Sequence, residues 1–215
     1  MTAYIREPVN GLTHLAGALL SFAALLAMVV RVAVGGFQPI ELTAVIIFGL
    51  SLIALYASSA TYHMVLARDR IIAFLRRLDH SMIYVLIAGT YTPFCLISLQ
   101  GAVGWSLFSL VSAMAVAGVI FKLIWFHSPR WISTALYIGM GWLIIFFIAP
   151  LSSVLAFEGI ALLIAGGILY TIGGVIYGFK PRWMISKHIG YHEVFHVFIL
   201  LGSLAHFLSV YLYVI

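Results

Sequence analysis

Between Asp79 and Lys122 the chain contains no Asp, Glu, Lys or Arg, and the same holds from Pro8 to Val30. One crossing of a bilayer's hydrocarbon core uses about 20 apolar residues at about 1.5 Å of rise each. The first of these stretches is too long for a single crossing, and the second suits one. Runs of this kind recur to the end of the sequence and constrain it to a bundle of membrane-spanning helices. Composition agrees: 64% of the 215 residues are hydrophobic and 8% are charged, against about 45–50% and about 25% in soluble domains. A water-soluble monomer is excluded, and so is intrinsic disorder, which needs low hydrophobicity and high net charge. The formal charge of +5 comes from 11 basic and 6 acidic residues that sit in short gaps between apolar runs. Such basic residues act as orientation signals rather than as a nucleic-acid surface.

Seven spans are expected, near residues 12–34, 42–67, 79–99, 103–125, 131–149, 154–178 and 189–213. Gln100-Gly101 divides the long uncharged stretch, and Pro150 with Ser152 and Ser153 ends the fifth span. The N-terminal segment and the loops after spans 2, 4 and 6 collect Arg6, Arg68, Arg70, Arg76, Arg77, Lys122, Arg130, Lys180, Arg182 and Lys187, whereas the other side has Arg31 alone. The positive-inside rule then places the N-terminus in the cytoplasm and the C-terminus outside. The first apolar run is read as a helix rather than a signal peptide. It exceeds a signal core, and Arg31 lies close before the cleavage-like Ala33-Val34-Gly35. A single domain fills the length, in the cell membrane. The lone cysteine, Cys95, allows no intrachain disulfide and reads as packing.

Pro93 should kink the third helix, with Thr90 and Thr92 placed to satisfy the freed carbonyl groups. The sixth span carries Gly166, Gly167, Gly173, Gly174 and Gly178, and the 174/178 pair is expected to allow close helix approach.

Placed by depth, the polar residues gather near the cytoplasmic side: His14 early in span 1, His63 late in span 2, Asp79 opening span 3, and His192 and His196 in the first turns of span 7. His192 and His196 are four apart, hence neighbours on one helix face. Two imidazoles there either share one metal ion or are simply hydrated at the boundary. His63 offers a third ring at matching depth, and three histidines with a water form the open tetrahedral arrangement of a catalytic zinc site. Asp79 has two readings: a helix cap paired with Arg76 or Arg77, or a carboxylate that holds the reacting water and takes its proton. Ser59, one turn from His63, bonds either its own helix backbone or that water. His14 suits a supporting role, with Asn10 and Glu7 one turn apart below it. His80 points about 100° away from Asp79 and meets the interface. His127 and His188 fall in loops. His206 lies about 15 Å beyond His196 by helical rise, too far to share its ion, and is expected as a buried polar contact.

Taken together, Ser59-x-x-x-His63, Asp79, His192-x-x-x-His196, Glu7-x-x-Asn10-x-x-x-His14, Ala88-Gly89-Thr90-Tyr91-Thr92-Pro93-Phe94 and Gly139-Met140-Gly141-Trp142 resemble the hemolysin III branch of the progestin and adipoQ receptor family. The resemblance spans essentially the whole chain, and the short termini look like the bacterial branch. It implies a seven-helix bundle with a zinc ion near the cytoplasmic leaflet, held by His63, His192 and His196, with Asp79 holding the water and Ser59 beside it. It also implies kinship with alkaline ceramidases, in a proposed superfamily of membrane hydrolases, and a link to membrane-lipid homeostasis.

Three functions follow as expectations. The first is a zinc-dependent hydrolase of a lipid amide or ester, with membrane lipids as substrate. The second is a lipid or fluidity sensor in which zinc is structural. The third is a pore-forming hemolysin, which the lack of a polar stripe through several helices disfavours.

Overall fold

The computed structural model describes residues 4–181 and 190–215, and Arg182, Lys187, His188 and the expected start of the last span at 189 lie outside them. The described residues contain helices and connections and no strand. Among the described residues, seven helical segments are long and apolar enough to cross a membrane. The chain is an all-α, multi-pass integral membrane protein. Four spans are the helices α1 (Pro8–Val34), α2 (Pro39–Met64), α4 (Gly101–Ile124) and α7 (Phe157–Phe179). The third span is α3 (Asp69–Pro93) continued by a π-helical stretch, Phe94–Leu99. The fifth is α5 (Arg130–Gly141), a 3₁₀ stretch Trp142–Phe147 and the short α6 (Ile148–Ser152). The seventh is α8 (Tyr191–Ser209), ending in the π-helical Val210–Val214.

Packing follows the chain. α1 lies on α2, α2 on α3 and α3 on α4, while α7 pairs with α8, α8 returns to α1, and α5 rests on α7 and α3. The third span is central: 67% of its apolar window is buried, against 17–44% for the other six. Outward-facing side chains such as Leu19, Leu20 and Phe22 of α1 are exposed, as expected of a surface whose solvent is lipid.

Asp79 does not open the third helix, which begins at Asp69. Apolar run length measures bilayer thickness, whereas helix length is set by propensity. The segment Asp69-Arg70-Ile71-Ile72-Ala73-Phe74-Leu75-Arg76-Arg77-Leu78 is amphipathic and continues the helix with its cations able to reach water. Asp79 therefore sits inside a helix and cannot cap one.

At Pro93 the break is a change of register, as the helix widens into π geometry directly afterwards. Thr90 Oγ1 donates to Leu86 O (2.9 Å) and Thr92 Oγ1 to Ala88 O (3.0 Å). Neither reaches the Gly89 carbonyl that Pro93 leaves free, because a threonine bonds back along its own helical row. The 174/178 glycine pair is likewise not the close approach. Those glycines meet Thr134 and Ile138 of α5 at ordinary contact distances. Gly166 and Gly173, which share one helix face, are the tight positions; a Cβ there would lie 2.6 Å from His206 Nε2 and 2.9 Å from Phe198 Cβ on α8.

The fifth span breaks at Gly139-Met140-Gly141-Trp142, where α geometry gives way to 3₁₀. Tyr91 of α3 fills that break. Its hydroxyl lies 2.9 Å from Met140 O and 2.7 Å from Gly141 O as donor, and accepts from Ile144 N–H at 2.9 Å. Tyr91→Phe strands these backbone groups in a dry interior and should cost about 1–3 kcal/mol. Equilibrium unfolding in mixed micelles measures this; unchanged stability would show that the break supports itself.

Candidate metal centre

Helix polarity brings the end of α2, the first half of α3, the end of α4, and the starts of α1, α5 and α8 to one end of the bundle. His63 is the last residue but one of α2, and His192 and His196 occupy the first turns of α8. Their rings form a near-equilateral triangle, with centroids 5.0 Å apart for His63–His192, 5.0 Å for His63–His196 and 4.7 Å for His192–His196. One nitrogen from each ring lies within 4.8 Å of the others, close enough to hold one metal ion. His63 and His196 are 0% and 1% exposed, and His192 is half-buried.

Hydrogen bonding prepares this triangle for a cation. His63 Nδ1 lies 2.7 Å from Glu7 Oε2, while its Nε2 is buried without a partner. A carboxylate on one ring nitrogen fixes the tautomer and leaves the other lone pair free, the usual second contact of a metal-ligating histidine. His196 Nδ1 is also buried and unpartnered. Buried imidazole nitrogens without a partner are costly unless something such as a cation meets them. The donor set fits a metal ion that favours nitrogen ligands.

Glu7 belongs to a longer chain of contacts. Asn10 Nδ2 donates to Glu193 Oε1 (2.9 Å) and Glu7 Oε2 (3.3 Å), and Glu193 Oε2 accepts from Gly190 N–H (2.8 Å) at the start of α8. Backbone adds Glu7 N–H to His63 O at 2.9 Å. One network thus ties α8, α1 and α2 and sets the spacing of the histidines. Partial burial raises the Glu7 carboxyl, but the His63 hydrogen bond and charge, with Asn10 and Arg6, outweigh it and hold it below its ordinary value. A depressed carboxyl contributes stability that is present at neutral pH and lost as pH falls through its folded value.

The expected neighbours divide. His14 lies flat on His196, centroids 3.5 Å apart, with both of its nitrogens buried and unpartnered. Ser58, not Ser59, bonds back to its own helix, at Leu55 O (2.9 Å). Ser59 makes no such bond and instead shares a cavity wall with Asp79. Both face a cavity of about 140 Å³ that is also lined by His14, His192 and His196. Asp79 is outside the histidine set, and among the described residues no fourth His, Cys, Asp or Glu joins it. His80, expected at the interface, stacks on Phe126 (5.8 Å) and lines the same cavity. His127 is exposed in a loop. His206 lies deep in the bundle, 5.1 Å from the Tyr170 ring, where it also borders the cavity.

Sequence reading did not find Glu193 or the pairing of Glu7 with His63. Glu7 and His63 are separated by the whole of the first two helices, so spacing carries no trace of their contact.

Fold and site together define a multi-pass membrane protein with a three-histidine cluster built into one end of its bundle. The sequence matches the family described as "Haemolysin-III related" over residues 2–207. It is 38% identical over 216 aligned residues to "Hemolysin-3" of Bacillus cereus, covering 100% of this chain and 95% of that one. Against the "Hemolysin-3 homolog" of Bacillus subtilis (strain 168) it is 39% identical over 207 residues, covering 96% and 93%. A plant relative, "Heptahelical transmembrane protein 4" of Arabidopsis thaliana, is 28% identical over 187 residues, covering 74% of this chain and 45% of that protein. The chain belongs to the haemolysin-III-related family, within the hemolysin III branch of the progestin and adipoQ receptor family.

Glu7→Gln should weaken metal binding about 10–100-fold. Competition against a chelator measures it, with Glu41→Gln, at the opposite end of the bundle, as control. Equal affinities would remove Glu7 from the site.

Proposed function

We propose that the chain is a metal-dependent hydrolase of a membrane-lipid amide or ester, and that its ion is zinc. The observation that supports this most is the open ligand set, in which three histidines converge and no fourth side chain closes them among the described residues. Structural zinc sites are usually closed by four protein ligands, whereas catalytic sites keep a position for water or substrate. Bound there, zinc would supply a Lewis acid and a water acidic enough to react at neutral pH.

The remaining chemistry falls to the chain. Asp79, on the cavity wall and outside the histidine set, takes the proton as the water oxygen bonds to the acyl carbonyl carbon. Ser59, on the same wall, hydrogen-bonds that water or the developing oxyanion. The proton passes to the amine or alcohol as the acyl C–N or C–O bond breaks, leaving a carboxylic acid and the freed headgroup or base. Ile83, Ile87, Phe94, Ile138 and Leu163 line the cavity away from the histidines; this surface suits an acyl chain and keeps bulk water from the reacting carbon. By the positive-inside rule the site faces the cytoplasmic leaflet, and the substrate enters sideways with its chains still in lipid.

In nanodiscs carrying long-chain amide and ester lipids, Asp79→Asn should lower turnover about 10²–10⁴-fold while retaining the parent's metal content. Full turnover by Asp79→Asn, or by metal-stripped protein, would refute the mechanism. A metal-loaded parent inert toward every such lipid would favour the sensing role.

A further inference from the structure

The same cavity carries a second chemical feature, on the α4 and α5 side of the histidines. Lys122, near the end of α4, lines it and is 3% exposed. Its Nζ donates to Ser128 Oγ at 3.3 Å and lies 5.7 Å from the Phe121 ring centroid, and Ser128 Oγ lies 3.5 Å from Ser133 Oγ. Arg130, the first residue of α5, lines the cavity beside it with its guanidinium 5.6 Å from the Tyr177 ring centroid. Behind them Arg76 and Arg77 lie 5.2 and 5.5 Å from the Phe126 ring, which stacks on His80. No side chain caps the N-terminus of α5.

Among the described residues no carboxylate pairs with these cations within 4.0 Å. Among the described residues the ion pairs are Arg6–Glu7 and His63–Glu7. All six acidic residues are accounted for. Glu7 and Glu193 belong to the histidine network, Asp69 is exposed, and Glu41 and Glu158 begin helices at the opposite end. Asp79 shares the cavity but lies more than 4.0 Å from Lys122 Nζ. Burying an ammonium without a counter-charge is expensive, and a surface anchor to lipid headgroups would not be turned inward. A buried lysine, a forked guanidinium, a hydroxyl and an uncapped helix start together are complementary to phosphate.

We infer that Lys122, Arg130 and Ser133 form a phosphate-binding subsite in the cavity, so that the lipid it takes carries an anionic phosphate headgroup. As a statement about substrate this rests on the hydrolase reading; as a binding site it does not. The apolar cavity wall holds the chain, the subsite holds the phosphate, and the bond between them is presented toward the histidines.

Native mass spectrometry of the full chain, released from micelles with equal amounts of dioleoyl phosphatidic acid and dioleoylglycerol, tests binding without turnover. The parent should retain phosphatidic acid at least about tenfold over its phosphate-free counterpart, as expected for charge-assisted hydrogen bonds. Lys122→Met and Arg130→Gln should each abolish that preference, and Arg70→Gln, an exposed residue, should keep it. Lys122→Met removes a buried charge in favour of an apolar side chain of similar length, so its melting temperature should not fall. Competition by inorganic phosphate alone, dependent on Lys122, would support the anion site and give it a soluble source. No preference in the parent, or an unchanged preference in Lys122→Met, overturns the subsite. Asp79→Asn separates the two claims: it should keep the Lys122-dependent preference for phosphatidic acid even where turnover is lost.

Discussion

A single carboxylate outside the first helix organises the functional end of this molecule. Glu7 holds the Nδ1 edge of His63, shares Asn10 with Glu193, and through Glu193 reaches the first turn of α8. The three histidines come from helices distant in sequence. Without a rigid link between those helices, their rings would not converge on one point. These bonds are part-buried, and together they tie the helix ends that carry the histidine triangle. His14 completes the support by packing flat against His196.

The cavity depends on irregular helix geometry. The third span changes to π register after Pro93, and the fifth changes to 3₁₀ after Gly141. Tyr91 joins the two breaks with one hydroxyl, and Gly141, Trp142 and Ile144 of the broken segment line the cavity. Backbone that departs from α geometry is tolerated at membrane depth where protein or a cavity satisfies it. The Pro93 segment and Gly139-Met140-Gly141-Trp142 are thus one structural joint. That joint borders the cavity into which Asp79, Ser59, His192 and His196 face.

Much of this was legible from the chain alone, for physical reasons. Uncharged runs report crossings, so the seven spans could be read, and a pair of histidines four apart on a helix must share a face. Hydropathy is silent on helix length, which is why Asp79 was expected at a helix start rather than within α3. It is equally silent on 3₁₀ against α geometry, since Trp142–Phe147 is as apolar as its surroundings. Long-range partners left no local signal: Glu7 with His63, and Tyr91 with the carbonyls of Met140 and Gly141, depend on which helices become neighbours. Lys122 read as an orientation charge, and its inward position could not be seen until α4, α5 and the 128–133 segment were placed together.

The proposed chemistry requires the three histidines to hold one ion and leave a position open. X-ray absorption at the metal edge of the detergent-purified protein tests it most directly, with the parent compared to Asp79→Asn. One zinc per chain, three imidazole nitrogens and one further light-atom donor are expected, with the same spectrum in both proteins. A folded parent that takes up no metal, or a coordination shell that loses a donor when Asp79 is changed, would contradict it.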